Sequence, residues 1–286
     1  MNRYEIMWSI GIYTGKSLFD LVPPDGVVNP VLTHRDVDDV SAAFVADPFM
    51  ISVSGSWYMF FEVFNRETSK GEIGLAVSKD GLDWKYKQII LSESFHLSYP
   101  YVFEFDNDYY LIPETINARS VRLYKASSFP TSWSYVCSLI EERSADSSIF
   151  YFDNKWWLFT CPTLYQNYRL CLYFAESLTG PWKEHPASPV VEQNKRIARP
   201  AGRVVIFNDK IVRFAQDCAP FYGMQVRAFE VSELTAETYI EREHESSPIL
   251  TPSGKGWNKW KMHHIDPHLL PNREWIACVD GYNKLQ

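Results

Sequence analysis

The chain has 286 residues, with 35 acidic and 28 basic side chains, a formal net charge of −7 and 16% aromatic residues. The length allows one large domain or two small ones, and the acidic balance excludes the basic face that nucleic-acid binding normally requires. No apolar run in the sequence reaches the length of a membrane span, and the five cysteines, without CxxC spacing, argue against a disulfide framework or a zinc centre.

The N-terminal stretch is predicted to be a β-strand. Residues 5–13 include Trp8-Ser9-Ile10-Gly11-Ile12-Tyr13, whose alternation indicates a strand. The apolar part is too short for a signal-peptide core and no small-residue cleavage site follows it, so we expect an uncleaved, cytoplasmic protein. Residues 21–40 form a predicted surface crossing, with Pro23-Pro24-Asp25-Gly26 as a turn.

A repeat of about fifty residues begins near residue 41 and returns along the chain. Each copy opens with a residue pair that leads into an apolar strand, and a turn and a second, aromatic-rich strand follow. Strand repeats of this length are typical of the blades of a β-propeller. The opening pairs are Asp47-Pro48, Tyr99-Pro100, Asp146-Ser147, Arg199-Pro200 and Asp266-Pro267.

The repeat therefore predicts an all-β fold, a five-bladed β-propeller that forms a single domain over residues 1–286. We expect the N-terminal strand to join the last blade, which would close the ring and protect a sheet edge. The predicted blades lie at about residues 41–91, 95–140, 144–191, 197–250 and 262–286, the last completed by residues 5–13.

A ring of blades brings distant residues together. The first strand of a blade lies nearest the axis and the second returns to the same face, so the five opening residues should surround one end of the axis. Several carboxylates near one axis raise one another's pKa values, which is typical of acid–base sites. The ends of the second strands should lie one strand further out on that face, at Glu62, Glu114, Gln216, Asp217 and Asp280.

Several motifs resemble those of known propellers. Asn29-Pro30-Val31-Leu32 and Val45-Ala46-Asp47-Pro48-Phe49 resemble the opening of the family 43-like, five-bladed propeller glycosidases. Over nearly its full length the chain resembles more closely the N-terminal propeller domain of plant glucosamine inositolphosphorylceramide transferases and its bacterial relatives. That resemblance rests on Phe95-His96-Leu97-Ser98-Tyr99-Pro100, Ile112-Pro113-Glu114-Thr115, Arg199-Pro200-Ala201-Gly202-Arg203 and Met262-His263-His264-Ile265-Asp266-Pro267-His268.

The resemblance implies catalytic roles. In the family 43-like enzymes an Asp that opens blade one is the general base, and Asp47 matches it. A second Asp, which opens a later blade and tunes the acid, is matched by Asp146. The Glu that protonates the leaving oxygen has no evident match on blade four, so we predict Glu114 as its replacement, with Glu62 as second choice.

The remaining polar candidates are predicted to bind substrate. Arg199 and Arg203 can hold a carboxylate or phosphate by paired hydrogen bonds, or can form structural ion pairs with Asp146 or Asp266. The histidines can shape the pocket by hydrogen-bonding carboxylates; we predict no metal or cofactor, although the resemblance leaves room for a structural cation near His264. The predicted substrate-binding residues are Glu62, Tyr99, Arg199, Arg203, Gln216, Asp217, His263, His264, Asp266 and His268.

Three functions are consistent with the sequence. The first is a carbohydrate-active enzyme, hydrolase or transferase, that acts on a glycan or a sugar donor in glycan, glycolipid or polysaccharide metabolism. The second is a non-catalytic, sugar-binding propeller that partners a glycosyltransferase, favoured by the missing Glu of blade four. The third is a protein-interaction propeller, in which the axial carboxylates would be dispensable. Whether the chain is an enzyme stays open at this point, with the first hypothesis favoured.

Overall fold

The computed structural model describes residues 6–163 and 165–284, which form 21 β-strands and three 3₁₀ helices. The strands build five antiparallel sheets. First strands of successive blades contact one another around a ring, and a bridge between Gly202 and Ile265 joins blade four to blade five. The predicted all-β, five-bladed propeller is confirmed.

The strands follow one another blade by blade. The chain begins with β1 (Ile6–Ser17) and β2 (Asp20–Val22). Blade one contains β3 (Ala42–Val53), β4 (Ser56–Asn65), β5 (Lys70–Ser78) and β6 (Lys85–Leu91). Blade two contains β7 (Ser98–Phe105), β8 (Asp108–Glu114), β9 (Val121–Ser128) and β10 (Ser132–Ile140). Blade three contains β11 (Ala145–Phe152), β12 (Lys155–Cys161), β13 (Cys171–Ala175) and β14 (Lys183–Glu184).

The last two blades are less regular. Blade four contains β15 (Arg199–Pro200), β16 (Val205–Phe207), β17 (Lys210–Asp217), β18 (Gln225–Leu234) and β19 (Tyr239–Glu243). Blade five contains β20 (Ile265–Leu269) and β21 (Trp275–Lys284), beside which β1 and β2 lie. The 3₁₀ helices lie in connections at His34–Asp36, Ile116–Ala118 and Gly256–Asn258. Within the described ranges, no helix is both long and apolar enough to cross a membrane.

The N-terminal strand closes the ring, as predicted. β1 pairs with β21 from Ile6, opposite Lys284, to Gly15, opposite Trp275. Ile10 and Ile12 of β1 are fully buried in a cluster that blade one completes. Closure therefore combines backbone hydrogen bonds with apolar burial. Residues 5, 285 and 286, which the prediction included in blade five, lie outside the described residues.

Four blades join their first two strands by the same kind of turn. Both central residues have positive φ angles, as in the type I′ turns that match the twist of a hairpin. Gly, Asn and Asp tolerate this backbone best, which explains the composition of the turns. The four pairs are Ser54-Gly55, Asp106-Asn107, Asp153-Asn154 and Asn208-Asp209.

Aromatic residues fill the space between blades. Phe60 from blade one, Tyr101 from blade two and Trp156 from blade three belong to one buried cluster. Three outer turns are fixed by tryptophans whose indole N–H donates to a backbone carbonyl of the same turn. These tryptophans, which close the sequence repeats, are Trp84, Trp133 and Trp182.

Candidate functional site

The first strands of blades one, two and three contain the same β-bulge. Each has one residue more than its partner strand across the bulge. The residues concerned, Asp47, Tyr99 and Asp146, have φ angles of 51°, 46° and 49°, in the left-handed region. Bulges re-aim side chains at functional sites, and these three residues are the opening residues of the sequence repeat.

A buried polar group surrounds the axis at the end where these bulges lie, and we name it the axial cup. Its members come from all five blades, and each is at most 8% exposed. Such burial of charged groups is costly unless they are paired or neutralised. The axial cup consists of Asp47, Glu62, Glu114, Asp146, Arg199, Gln216, His263 and Asp280.

Arg199 links three blades within the cup. Its Nε donates to Asp146 Oδ2 at 2.5 Å, and its Nη2 donates to Glu114 Oε2 at 3.4 Å. Its Nη1 donates to Asn167 Oδ1 at 3.1 Å, and its guanidinium carbon lies 5.1 Å from the Tyr222 ring centroid. Arg199 is thus the structural ion-pair partner that the sequence left open as one of two alternatives.

Asp146 has a second donor in Gln216. The Gln216 amide donates to Asp146 Oδ2 at 2.7 Å and to the Pro200 carbonyl at 2.9 Å. The other oxygen, Asp146 Oδ1, is buried and has no hydrogen-bond partner among the described residues. Asp146 is therefore held firmly on one side only.

Asp280 organises the opposite side of the cup. Its carboxylate accepts from the His263 ring at 2.7 Å and from the backbone N–H groups of His263 and His264, both at 3.1 Å. It also accepts from the Asp47 backbone N–H at 3.2 Å. The other ring nitrogen of His263 lies 3.6 Å from Asp47 Oδ1. A chain of ion pairs therefore runs from Asp280 through His263 to Asp47.

The carboxyl groups of the cup differ in protonation. Burial raises the pKa of Glu114 well above its ordinary value, and the Asp146 charge adds to this while Arg199 opposes it. Burial, followed by the charges of Asp47 and Glu114, likewise raises the pKa of Glu62. Burial raises the pKa of Asp47 to about 7, although His263 opposes the rise. Protonated and ionised carboxyl groups therefore coexist in the cup at neutral pH.

Tyr99 and His264 form the floor of the cup. The Tyr99 hydroxyl bonds with Ser148 Oγ at 2.8 Å and donates to the Gly202 carbonyl at 3.1 Å, so it ties three blades together. His264 is fully buried, and its ring meets the edges of Phe49 and Tyr99 at 4.6 and 5.3 Å between centroids. Tyr99 is also fully buried and does not form a surface on which a sugar could stack.

Asp266, Arg203 and His268 lie one layer deeper than the cup, contrary to the prediction that Asp266 shares it. Arg203 Nε donates to Asp266 Oδ1 at 2.6 Å, and His268 Nε2 lies 2.9 Å from Asp266 Oδ2. The Met50 backbone N–H donates to Asp266 Oδ2 at 2.7 Å. The three side chains thus form a structural cluster that joins blades one, four and five.

The pairing of blade five explains this displacement. β20 runs beside β21 without a bulge, and Asp266 lies opposite Cys278. Cys278 lies two residues before the cup carboxylate Asp280. In blade one the residue two before the cup carboxylate Glu62 is Phe60, which pairs with Phe49. Asp266 therefore corresponds to Phe49 and not to Asp47, and Asp280 supplies the blade-five carboxylate of the cup.

Asp217 also lies outside the cup, unlike its neighbour Gln216. Its carboxylate accepts from Arg227 Nε at 2.9 Å, Gln225 Nε2 at 3.0 Å and Arg196 Nη1 at 3.1 Å. Alternation along β17 turns Asp217 to the opposite face of the sheet from Gln216. Its partners make Asp217 part of the support of blade four.

The structure adds three residues that were not among the predicted site residues. Asp280 was predicted to lie at a strand end but was not assigned to the site, although Glu62 and Glu114, predicted at strand ends in the same way, were. Asn167 and Tyr222 both contact Arg199. They lie in connections, where no periodic signal marks a position near the axis.

Metal-binding capacity is limited among the described residues. Asp47, His263 and Asp280 offer ligand atoms within 4.8 Å of one another, but these atoms already serve each other as ion-pair partners. Both ring nitrogens of His264 lack a hydrogen-bond partner within residues 6–163 and 165–284, and the nearest carboxylate oxygen, of Asp47, is 3.9 Å from Nδ1. One carboxylate and two aromatic rings are a poor ligand set, and the cation near His264 stays a prediction.

The fold and the cup define a class: a five-bladed β-propeller with a buried, carboxylate-rich axial site. An α-L-arabinofuranosidase of Podospora anserina shares the fold with a TM-score of 0.64 at 12% identity, over 98% of this chain and 97% of that one. A family 117 glycoside hydrolase of Zobellia galactanivorans has a TM-score of 0.54 at 15% identity, over 83% and 84% of the two chains.

The chain belongs to the family described as glucosamine inositolphosphorylceramide transferase 1, N-terminal, which it matches over residues 2–282. It is 36% identical to glucosamine inositolphosphorylceramide transferase 1 of Oryza sativa subsp. japonica and 33% identical to that of Arabidopsis thaliana, with 97% of this chain covered in each. The chain spans 40% and 39% of the lengths of these relatives. The resemblance seen in the sequence is confirmed.

Proposed function

We propose that the chain is a carbohydrate-active enzyme that cleaves or transfers a glycosyl unit at the axial cup, in glycan or glycolipid metabolism. The observation that carries this proposal is the presence of two carboxyl groups with raised pKa values, Asp47 and Glu114, in one buried cup. Clusters of this kind are typical of acid–base sites. The glycoside hydrolase-like fold and the family support the same class of chemistry.

Glu114 is the proposed general acid. Burial and the neighbouring Asp146 charge favour its neutral form, which can donate a proton to the leaving oxygen of a glycosidic bond. After donation, the Glu114 carboxylate lies within reach of Arg199 Nη2, which is 3.4 Å away. Arg199 can therefore stabilise the charge that develops on Glu114.

Asp47 is the proposed general base. A pKa of about 7 matches proton acceptance near neutral pH. Asp47 would accept a proton from the hydroxyl that attacks the anomeric carbon, either water in hydrolysis or an acceptor sugar or lipid alcohol in transfer. The two reactions differ in the attacking hydroxyl, so the same carboxyl groups serve both.

Asp146 is the proposed tuning residue. Arg199 and Gln216 fix Asp146 Oδ2, while its negative charge keeps the proton on Glu114. Because Arg199 and Arg203 both already bind carboxylates within the protein, neither requires an acidic sugar or a phosphate as its partner. These pairs favour a neutral glycosyl unit in the cup.

The test uses Glu114→Gln and Asp47→Asn on a panel of 4-nitrophenyl glycosides and of nucleotide-sugar donors with glycan acceptors. Each variant should lose about 10²–10⁴-fold in turnover, because it removes one proton transfer and leaves the shape of the cup unchanged. Glu230→Gln is the control, since Glu230 is a buried carboxylate outside the cup. Equal turnover by all three variants would contradict the proposal.

A second candidate is a non-catalytic, sugar-binding propeller that partners a glycosyltransferase. The curated relatives carry transferase names, and this chain spans about two fifths of their length. Lys284 pairs with Ile6 and follows Asp280 on β21, so a partner joined at either strand end would lie on the face of the cup. This candidate predicts sugar binding without turnover, and Glu114→Gln would then leave binding by calorimetry unchanged.

A further inference from the structure

The chain of ion pairs in the cup contains His263, which the sequence predicted only as a substrate-binding residue that shapes the pocket. We infer that His263, anchored by Asp280, is a positioning residue that holds a positive charge against Asp47 and so sets the pH at which Asp47 can accept a proton. The inference deepens the proposed function, on which the role of Asp47 as a base rests. The arrangement of the three side chains can be tested without a substrate.

Asp280 fixes both ends of the arrangement. It binds the His263 ring at 2.7 Å and accepts the backbone N–H of Asp47 at 3.2 Å. Asp47 has a φ of 51°, a conformation that a residue other than Gly adopts at a cost unless its surroundings hold it. One carboxylate therefore holds the Asp47 backbone and turns the free His263 nitrogen toward the Asp47 side chain, 3.6 Å away.

Aromatic rings enclose His263 on both sides. Trp8 of β1 stacks on it with 4.0 Å between ring centroids and an angle of 16°. Tyr222 meets it edge to face at 5.3 Å. A cationic imidazole is attracted to the face of an indole, so the enclosure favours the protonated ring in one orientation. With a residue exposure of 2%, His263 has no open route by which to reorient toward water.

The surrounding charges favour the cation. The groups that face His263 are the carboxylates of Asp280, Asp47 and Asp146 from blades five, one and three. Burial alone would lower the pKa of His263, but these carboxylates raise it further than burial lowers it. His264, the adjacent imidazole, stays neutral because burial lowers its pKa to about 4.

The same charges act on Asp47. The charged groups that shift its pKa are His263, Asp146, Asp280 and Arg199, and Glu62 and Glu114 also interact with its charge. The pKa of Asp47 results from burial opposed chiefly by His263. Loss of the imidazolium leaves the burial and the two like charges in place, so the proton on Asp47 is held more tightly. An opposite charge at this distance shifts a carboxyl pKa by about 1–3 units.

The experiment measures the ionisation of Asp47 directly. Protein labelled with [13Cγ]aspartate is titrated by NMR from about pH 4 to about pH 11, and the Asp47 signal is assigned by its loss in Asp47→Asn. In His263→Gln the midpoint of Asp47 should rise by about 1–3 pH units. Asp280→Asn releases the ring but also removes a like charge that raises the pKa of Asp47, so the Asp47 midpoint should rise by less than in His263→Gln.

His185→Gln is the matched control, because His185 is also 2% exposed and is hydrogen-bonded, but lies on blade three away from the cup. A second readout needs no variant: 15N shifts of the His263 ring in the wild type should report double protonation to a higher pH than the ordinary value of about 6.5. This readout decides the question if His263→Gln does not fold.

An unchanged Asp47 midpoint in folded His263→Gln, or a singly protonated His263 ring below pH 6.5 in the wild type, would overturn the inference. Either NMR result is independent of turnover, so a failure of the proposed function would be recognised separately, as inactivity on the glycosides and nucleotide-sugar donors. With a turned-over substrate, the acidic limb of the kcat/KM profile should move with the Asp47 midpoint.

Discussion

At the scale of single residues, the carboxyl groups of the axial cup differ because their hydrogen-bond donors differ. Glu114 and Asp146 are both carboxyl groups, yet Asp146 has Arg199 and Gln216 as donors at 2.5 and 2.7 Å, whereas Glu114 has one longer contact at 3.4 Å. Burial and the Asp146 charge raise the pKa of Glu114, and the Arg199 contact opposes this rise only in part. The difference between the two carboxyl groups therefore follows from donors that lie on blade four.

A consequence of these raised pKa values is that the free energy of unfolding should decrease as the pH rises. Asp47, Glu62 and Glu114 bind protons more tightly when folded than when unfolded, so stability falls as pH rises above their ordinary values near 4 and through the folded pKa. Each proton retained by the folded state lowers the free energy of unfolding by about 1.4 kcal/mol per pH unit. His263, with a raised pKa, adds to the fall above its ordinary value.

We expect Glu114→Gln to reduce this pH dependence, because an amide does not ionise. Urea unfolding at about pH 5 and pH 8 measures the decrease in the free energy of unfolding between the two pH values. This decrease should be smaller for the variant, by up to the contribution of about one bound proton. Glu104→Gln, at an exposed position, serves as control. If the free energy of unfolding changed equally with pH in wild type and Glu114→Gln, the pKa of Glu114 would be the same in the folded and unfolded states.

At the scale of elements, the β-bulge is the device that builds the site. Blades one, two and three each place their opening residue at the same bulge, whereas blade five has none. The sequence could predict the opening residues because they are part of a local motif. It could not predict that Asp266 lies one layer deeper, because this depends on the register between β20 and β21. The presence or absence of a bulge, which sets that register, leaves no mark in the amino-acid composition.

Blade four meets blade five at a point where only glycine fits. Gly202 has a φ of +134°, and a Cβ there would lie 1.7 Å from the Ile265 carbonyl oxygen. Gly202→Ala should therefore destabilise the protein by more than about 3 kcal/mol, or abolish soluble expression. Tm and chemical unfolding measure the effect.

Gly55→Ala provides the comparison for this prediction. Gly55 also has a positive φ, of +75°, but no atom would lie within 4 Å of its Cβ. Only the backbone penalty of about 1–2 kcal/mol applies there. Similar losses at both glycines would mean that contact between blades four and five contributes little to the fold.

At the scale of the whole molecule, the N-terminal strand couples ring closure to the cup. β1 covers the edge of β21 and carries Trp8, which stacks on His263. The alternation of residues 8–13 and the incomplete fifth blade at the C-terminal end of the repeat were sufficient to predict this closure. The contacts of Asn167 and Tyr222 with Arg199 were not predictable, since both residues lie on connections. The cytoplasmic location stays a prediction.

Removal of the N-terminal strand should open the ring. A chain that begins at residue 23 would expose the edge of β21 and the cluster that Ile10 and Ile12 fill, and we expect it to lose cooperative unfolding by calorimetry. A synthetic peptide of residues 6–22 should restore the transition in trans. The same peptide with Ile10→Asp and Ile12→Asp is the control; restoration by both peptides would mean that apolar burial does not drive closure.

The pairing of Ile6 with Lys284 also has a consequence for the order of the blades along the sequence. Because the two strand ends are neighbours, a short covalent tether between them would make the backbone a continuous loop around the axis. A cut at a tight hairpin turn such as Ser54-Gly55 would then create new termini without separating any first strand from its neighbours. The architecture is thus compatible with circular permutation, and gene rearrangements that rotate the blade order would preserve every contact of the carboxyl groups of the axial cup.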